Sequence, residues 1–352
     1  MSAAREAVTL RDVAALAGVS IRTVSNVVNG SVPVRTTTRT RVQDAIARLG
    51  YRPNMAARRL RSGRSHAIGL VLPDVTIPYF RELADAVLAA ARHRRMAIVV
   101  VQTHGDPGRE RAVPSSPRLR HVDGVILAAV SLTEEDFRAL PRSLPVVLAG
   151  ASVRSQSIDS IAADTHAAGR SVARHLLARG RRCPAVIRPA DTHWPAEYDA
   201  RYRGFAAGLA DAGLALPDRH VITTDVNSFA AGAHAAQALY PELPEVDALF
   251  ALGDSLALGA LRGLCVTGRR VPRDVAVVGF GNIEHSAHSN PTLTTVDPGR
   301  LAIAEQAVAL IADRVEANSA GQERAGTPDL RPPRRFTVDF RLIERESTRV
   351  AG

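Results

Sequence analysis

Lysine is absent from this 352-residue sequence, and all 45 basic side chains are arginine. We read that as the bias of a GC-rich coding sequence and not as chemistry. Cysteine is nearly absent as well. Cys183 and Cys265 are the only two, and neither has metal-ligand spacing around it. Both are expected to be reduced, buried thiols, which points to the cytoplasm. Aromatic residues make up only 4% against 46% hydrophobic residues, so the core must rest on Ala, Val and Leu. No apolar run approaches the roughly 18 residues needed to span a bilayer. The N-terminus lacks the apolar core and cleavage site of a secretory signal, so neither membrane insertion nor export is expected. Catalytic signatures are missing too: no P-loop, no G-x-G-x-x-G after a strand, no G-x-S-x-G and no His/Cys/acid set at metal-ligand spacing. The eleven histidines are scattered, and lone ones such as His166 and His285 read as structural. No enzyme activity, catalytic residue, metal ligand or cofactor is expected.

What is present is an uneven distribution of charge. The chain is too long for one small core and suits a short module plus one or two larger domains. Met1 to Ser65 carries twelve Arg against Glu6, Asp12 and Asp44, a net +9, while the other 287 residues net only +1. A small basic head on a near-neutral body implies that the head binds a polyanion and the body does something else.

The head reads as three helices. Within Thr9 to Gly30, TLRDVAALAGVSIRTVSNVVNG, the residues Leu10, Val13, Ala14 and Ala17 keep the i, i+3, i+4, i+7 spacing of a buried stripe. Thr9 suits the N-cap and Asp12 the helix dipole. Gly18 supplies the turn, Val19 plugs the core and Ser20 caps a second helix that buries Val24, Val27 and Val28. Its other face presents Ile21, Arg22, Ser25, Asn26 and Asn29 before Gly30 ends it. A third helix, about Thr37 to Leu49, turns Val42, Ala45, Ile46 and Leu49 inward. Such a helix-turn-helix module fits double-stranded DNA, with the second helix in the major groove. Arg22 can pair with a guanine, Asn26 with an adenine, and Ile21 can touch a thymine methyl. Thr23, Ser25, Asn29 and Thr38 suit phosphates, and Thr9 and Leu10 complete the candidate DNA-binding set.

TLRDVAALAGVSIRTVSNVVNG followed by TRTRVQDAIARLGYRPNMAARRLRSGRS closely resembles the DNA-binding head of the LacI/GalR family of bacterial repressors. The family usually carries Arg where this chain has Asn26, so a different base preference is expected there. Residues 1–52 would form the head and 53–66 a hinge helix and linker. MAARRLR is too short to be a stable isolated helix. The resemblance implies that Ala57, Arg58 and Leu60 form its A-R-x-L segment in the minor groove, with Leu60 wedged into a base step. A plain linker with Leu60 packed on the body is the alternative.

From residue 67 the chain alternates apolar runs with amphipathic stretches. AIGLVLP, MAIVVVQ, GVILAAV and LPVVLAG read as strands of a first lobe, and PAVIR, VDALFAL and DVAVVGF as strands of a second. Helices are expected about Glu82–His93, Gly169–Arg179, Arg201–Ala212, Ala230–Tyr240 and Ser255–Val266. The pattern implies doubly wound parallel sheets, an α/β body with ligands at the carboxyl ends of the strands. RYRGFAAGLADAGL, GRRVPRDVAVVGFGN and PTLTTVDP extend the family resemblance over essentially the whole chain. It implies a two-lobed fold like that of periplasmic sugar-binding proteins, with crossings near residues 163, 295 and 330. The body would be 67–352, its first lobe 67–163 with 296–330 and its second 164–295 with 331–346.

By the same resemblance, Tyr79, Phe80 and Arg201 would hold a small-molecule effector. Asp164 and Asp254 have a helix-capping role to weigh against ligand contact. Two carboxylates common in the family are missing, at Gly281-Asn282 and at Ala149-Gly150, which removes charge-assisted bonds to a neutral sugar. Asn282, His193, Trp194 and Arg201 can line a site richer in donors, suited to a sugar phosphate or an organic acid. Pro114 and Pro117 interrupt an expected helix; either it is rebuilt as a loop or the lobe has drifted.

The expected protein is a homodimeric repressor of a near-palindromic operator under small-molecule control. A regulator that has lost effector sensing is the first alternative, and a solute-binding protein a more distant one. No apolar heptad run follows RLIERES, so a zipper-mediated tetramer is not expected.

Overall fold

In the computed structural model three helices form where the apolar spacing of the head predicts them: α1 (Leu10–Ala17), α2 (Ile21–Asn29) and α3 (Thr36–Leu49). The structure describes residues 8–29, 32–51, 64–141, 144–150, 155–190, 195–325 and 331–349. The expectations for the hinge residues Ala57, Arg58 and Leu60, and for His193 and Trp194, lie outside the described residues. The chain divides into two units, Met1–Ser65 and His66–Gly352.

In the first unit Val13, Ala14, Ala17, Val24, Val42 and Ala45 form the buried core, closed by Tyr51. Gly18 follows α1 at φ +62, the left-handed conformation that the tight turn requires. Asp12 does more than face the helix dipole. It accepts both the N–H and the hydroxyl of Thr9 at 2.8 Å. Ser20 caps α2 as expected, its Oγ accepting the N–H of Thr23 at 3.1 Å.

The second unit holds two sheets. The first contains β1 (Ala67–Leu72), β2 (Ala97–Gln102), β3 (Gly124–Leu127), β4 (Val146–Ala149), β5 (Asp159–Ala163) and, late in the chain, β11 (Arg335–Val338). Their order is β11-β5-β4-β3-β1-β2, parallel throughout. The second contains β6 (Pro184–Pro189), β7 (Val221–Thr224), β8 (Ala248–Ala251), β9 (Ala276–Phe280), β10 (Thr294–Asp297) and β12 (Arg341–Ile343), in the order β12-β10-β9-β8-β6-β7. Here β12 alone runs antiparallel to its neighbour, β10.

Continuous apolar strands make sense because each sheet is covered on both faces. Ile68, Leu70 and Leu72 of β1 pack against Leu83 and Val87 of the helix Pro78–His93 and against Ile303, Ala307 and Ile311 of the helix Arg300–Ala325. Val71, facing the other way, joins Val113, Leu119 and Phe137. In the second lobe Phe250 and Val278 feed one face while Leu249 and Val277 feed the other. Among the described residues no helix is long and apolar enough to cross a membrane.

Three expectations are corrected. The last crossing falls between β11 and β12, at residues 338–341 and not near 330, because β11 pairs with β5. Buried Asp159 fixes this arrangement. It accepts Arg314 Nε at 2.8 Å and Nη2 at 2.7 Å, and also the N–H of Arg334 at 2.7 Å just ahead of β11. Residues 296 and 297 likewise belong to the second lobe, since β10 runs to Asp297. Cys265 is exposed and Cys183 half-buried, not both buried, because Cys265 lies on the solvent side of the helix Asp254–Val266.

Pro114 and Pro117 do break the expected helix, and the loop reading is the one observed. A short helix, Pro107–Arg111, gives way to 3-10 turns at Val113–Ser115 and Pro117–Leu119. The break is packed: Leu119 lies over Gly69, where an added Cβ would come within 2.6 Å of it. Fully buried Glu110 accepts the N–H groups of Val130 and Ser131 at 3.2 and 3.1 Å.

Candidate DNA-reading head and interlobe cleft

In the head, the first turn of α2 carries the exposed residues Ile21 and Arg22, with Asn26 half-buried one turn on. Six arginines at positions 11, 22, 35, 39, 41 and 48 are exposed, against the exposed acids Asp12 and Asp44. Hydrogen bonds from the N–H and then the hydroxyl of Thr9 hold the Asp12 carboxyl below the usual range, so Asp12 stays charged at neutral pH. A positive surface around an exposed helix start can take phosphates and present side chains to base edges.

The other candidates are placed less simply. Leu10 is half-buried against the head core, leaving its N–H in the first turn of α1 as the group that can meet a phosphate. Thr23 is half-buried and its hydroxyl pairs with that of Ser20 at 2.9 Å. Ser25 and Thr38 are half-buried, and Asn29 ends α2.

The body's candidates converge where the carboxyl ends of the strands meet between the lobes. Tyr79 and Phe80, at the start of the helix Pro78–His93, face Tyr198, Arg201, Asp254 and Phe280 of the second lobe. The space between them is only about 30 Å³, room for roughly one water molecule. Arg201 is buried and fills the centre. Its Nη1 donates to the carbonyl of Leu252 at 2.6 Å, and its guanidinium lies 3.8 Å from the Phe280 ring centroid. The close approach of its helix, Pro195–Ala210, to the helix Thr165–Ala178 depends on Gly169 and Gly204, where a side chain would strike backbone.

Asp254 is fully buried, and its carboxylate does not cap its helix. It accepts the hydroxyl of Thr295 at 2.6 Å, the N–H of Ile283 at 2.9 Å and the hydroxyl of Ser286 at 2.8 Å. Burial pushes its carboxyl up, against those three bonds. Asp164 caps the helix Thr165–Ala178 through the N–H of Ala167 at 2.9 Å, and it is not in the cleft lining. Asn282 is not in the lining either. Its amide donates to Asp297 at 3.1 Å and its carbonyl accepts Arg345 at 2.8 Å, so its polar atoms serve the second lobe.

Sequence reading missed the bridge at the cleft mouth. Glu82 of the first lobe accepts the N–H of Glu284 of the second at 2.9 Å and pairs with Arg300 at 2.8 Å. Arg300 in turn donates to the carbonyl of Gly281 at 3.0 Å. An acid on an amphipathic helix gives no signal of such a role; only the fold does.

A basic helix-turn-helix head joined to a two-lobed body of the ligand-binding type defines a DNA-binding regulator. Residues 9–54 match the family model described as bacterial regulatory proteins, lacI family. Residues 65–338 match that of periplasmic binding proteins and sugar binding domain of LacI family. Catabolite control protein A of Priestia megaterium is 31% identical over 290 residues, which are 82% of this chain and 87% of the relative. The transcriptional repressor PurR of Pectobacterium carotovorum is 29% identical over 345 residues, 96% of each chain. Among solved structures, the lac repressor dimer bound to operator and the anti-inducer ONPF aligns with a TM-score of 0.76 at 26% identity, covering 97% of this chain and 99% of that one. The chain therefore belongs to the LacI family of bacterial regulatory proteins. It is a sequence-specific DNA-binding regulator, as are the PurR and lac repressors it resembles.

Proposed function

We propose that the protein is a repressor that binds a near-palindromic operator as a homodimer in the cytoplasm and answers to a polar small molecule in the cleft. The observation that carries the DNA half is the pairing of exposed Ile21 and Arg22 on one helix start with the arginine-rich surface of the same unit. Arg22 reads a guanine and Asn26 an adenine, each good bidentate pair giving roughly 1–3 kcal/mol of discrimination. Thr23, Ser25, Asn29 and Thr38 serve the phosphates. Leu60, with Ala57 and Arg58, wedges the central step of the operator. Selection of bound sequences from random duplex DNA should return a near-palindrome with a flexible central step such as CG. A consensus without two-fold symmetry would end the dimeric reading.

Tyr79, Phe80 and Arg201 are the effector contacts we favour, with Trp194 as a further candidate. The positive charge of the Arg201 guanidinium suits a sugar phosphate or an organic acid over a neutral sugar. The missing carboxylates at Gly281-Asn282 and Ala149-Gly150, with the helix broken at Pro114 and Pro117, also favour a second reading, a regulator that no longer senses a ligand. A thermal-shift screen of sugars, sugar phosphates and organic acids separates the two, because a ligand that binds only the folded state raises Tm. A compound that raises Tm and alters operator affinity supports sensing. A broad screen without either effect selects the effector-blind reading.

A further inference from the structure

The second lobe brings together three residues far apart in sequence. Cys183 immediately precedes β6, His220 immediately precedes β7, and Glu245 lies three residues before β8. Because β8, β6 and β7 are adjacent in the sheet, the three side chains meet at the amino ends of the strands, the end away from the cleft. Cys183 Sγ, a ring nitrogen of His220 and a Glu245 carboxylate oxygen all lie within 4.8 Å of one another.

His220 carries the argument. Its side chain is buried, only 4% exposed. Its Nδ1 lies 3.0 Å from the carbonyl oxygen of Pro184, and a carbonyl can only accept, so the ring proton sits on Nδ1. In the neutral ring Nε2 then carries the lone pair. It is buried, has no hydrogen-bond partner, and lies 4.0 Å from Glu245 Oε1. A buried acceptor left without a donor is costly unless something binds it. A neutral imidazole held by a backbone carbonyl through its other nitrogen is the arrangement metal-binding histidines use.

We propose that Cys183, His220 and Glu245 form a zinc-binding site on the floor of the second lobe, with the fourth position open to water. Thiolate, imidazole and carboxylate together suit Zn²⁺, which takes all three in tetrahedral sites. Its ligand atoms would stand roughly 3.5 Å apart, so the cluster must contract by about an ångström. Glu245 supplies that movement, being 45% exposed and otherwise paired only loosely with Arg219 at 3.5 Å. Asp247 completes the surroundings by accepting the N–H groups of Arg182 and Cys183 at 2.7 and 3.0 Å, which fixes the backbone that carries the thiol.

The test uses the full chain, stripped with a chelator and titrated with Zn²⁺ against a chromophoric competitor, then with Co²⁺ as a spectroscopic probe. One Zn²⁺ per chain is expected, with a thiolate-to-cobalt charge-transfer band in the near ultraviolet. Cys183→Ser should abolish the band and weaken zinc binding roughly tenfold or more, and Glu245→Gln, at an exposed position that does not threaten folding, should weaken it roughly tenfold. Cys265→Ser should change neither. Failure of the wild-type chain to take up stoichiometric zinc would overturn the proposal. So would a cobalt band that survives Cys183→Ser or depends on Cys265, or a Glu245→Gln variant that binds zinc as tightly as the wild type.

Discussion

In the head, Ile21 and Arg22 stand exposed at the start of α2, while in the cleft Arg201 and Asp254 are taken up by Leu252, Thr295, Ile283 and Ser286. DNA meets groups still turned toward water. A ligand in the cleft must instead displace or rearrange bonds the protein already makes, each worth about 0.5–1.5 kcal/mol net. Allosteric coupling is typically about 1–3 kcal/mol. Exchanging one or two such internal bonds for ligand bonds is therefore enough to bias the lobes. Glu82 and Arg300, paired on first-lobe helices, reach the second lobe through the Glu284 N–H and the Gly281 carbonyl, and those bonds are one place where such an exchange would be felt.

The largest expected effect breaks the inward-turned side of this comparison. Asp159→Ala should destabilise the body by about 3 kcal/mol in denaturant unfolding, because it leaves Arg314 without its carboxylate in a largely buried site. A loss under about 1 kcal/mol would mean that Arg314 relaxes into water. The two buried aspartates also predict opposite responses to acid. Burial pushes Asp159 up, but the bonds from Arg314 and the Arg334 N–H outweigh it and leave its carboxyl below the usual range. Its contribution is present above the unfolded pKa, about 3.9, and is lost as pH falls through the lower folded value. Asp254 is held above that value by burial, so it favours the fold most at low pH and loses this as pH rises through its folded pKa. The stability gap between wild type and Asp159→Asn should therefore shrink in acid. Against Asp254→Asn, the wild type should gain in acid.

How much of this was readable beforehand follows the same division. The head's helices, turn and caps are local, set by residues within four positions of each other, so periodicity and Gly18 suffice. The central strands of both lobes were equally plain, because burial on two faces demands an unbroken apolar run. The strand Asp159–Ala163 was missed; its SIAA is short, and its place depends on Arg314, 155 residues away. The third crossing was misplaced for the same reason. Asp254 begins a helix, so sequence favoured a cap; its partners Ile283, Ser286 and Thr295 come from later loops. Cys183, His220 and Glu245 show no motif spacing because strand order, not sequence order, brings them together.

The next effect tests the outward-turned side. Arg22→Ala should leave the head folded, since Arg22 is exposed and outside its core. Operator affinity should fall by about 1–3 kcal/mol, roughly 5- to 150-fold, with relaxed preference at one base pair of each half-site. A uniform loss on all sequences, with a shallower salt dependence, would assign Arg22 to phosphate contact instead.

The smallest effect sits where the two uses of polar groups meet. Thr9 belongs to the candidate DNA-binding set, yet its hydroxyl proton and its N–H both go to Asp12 Oδ2. A hydroxyl that has donated its proton offers only lone pairs, and phosphate oxygens need donors. The capping role should therefore prevail. Thr9→Ala should cost the head about 0.5 kcal/mol as an exposed hydrogen bond is lost, read as a small drop in Tm. Its affinity for operator DNA should stay within about twofold, about 0.4 kcal/mol. A tenfold loss of affinity would show that DNA draws the hydroxyl away from Asp12, and that the start of α1 is part of the reading surface.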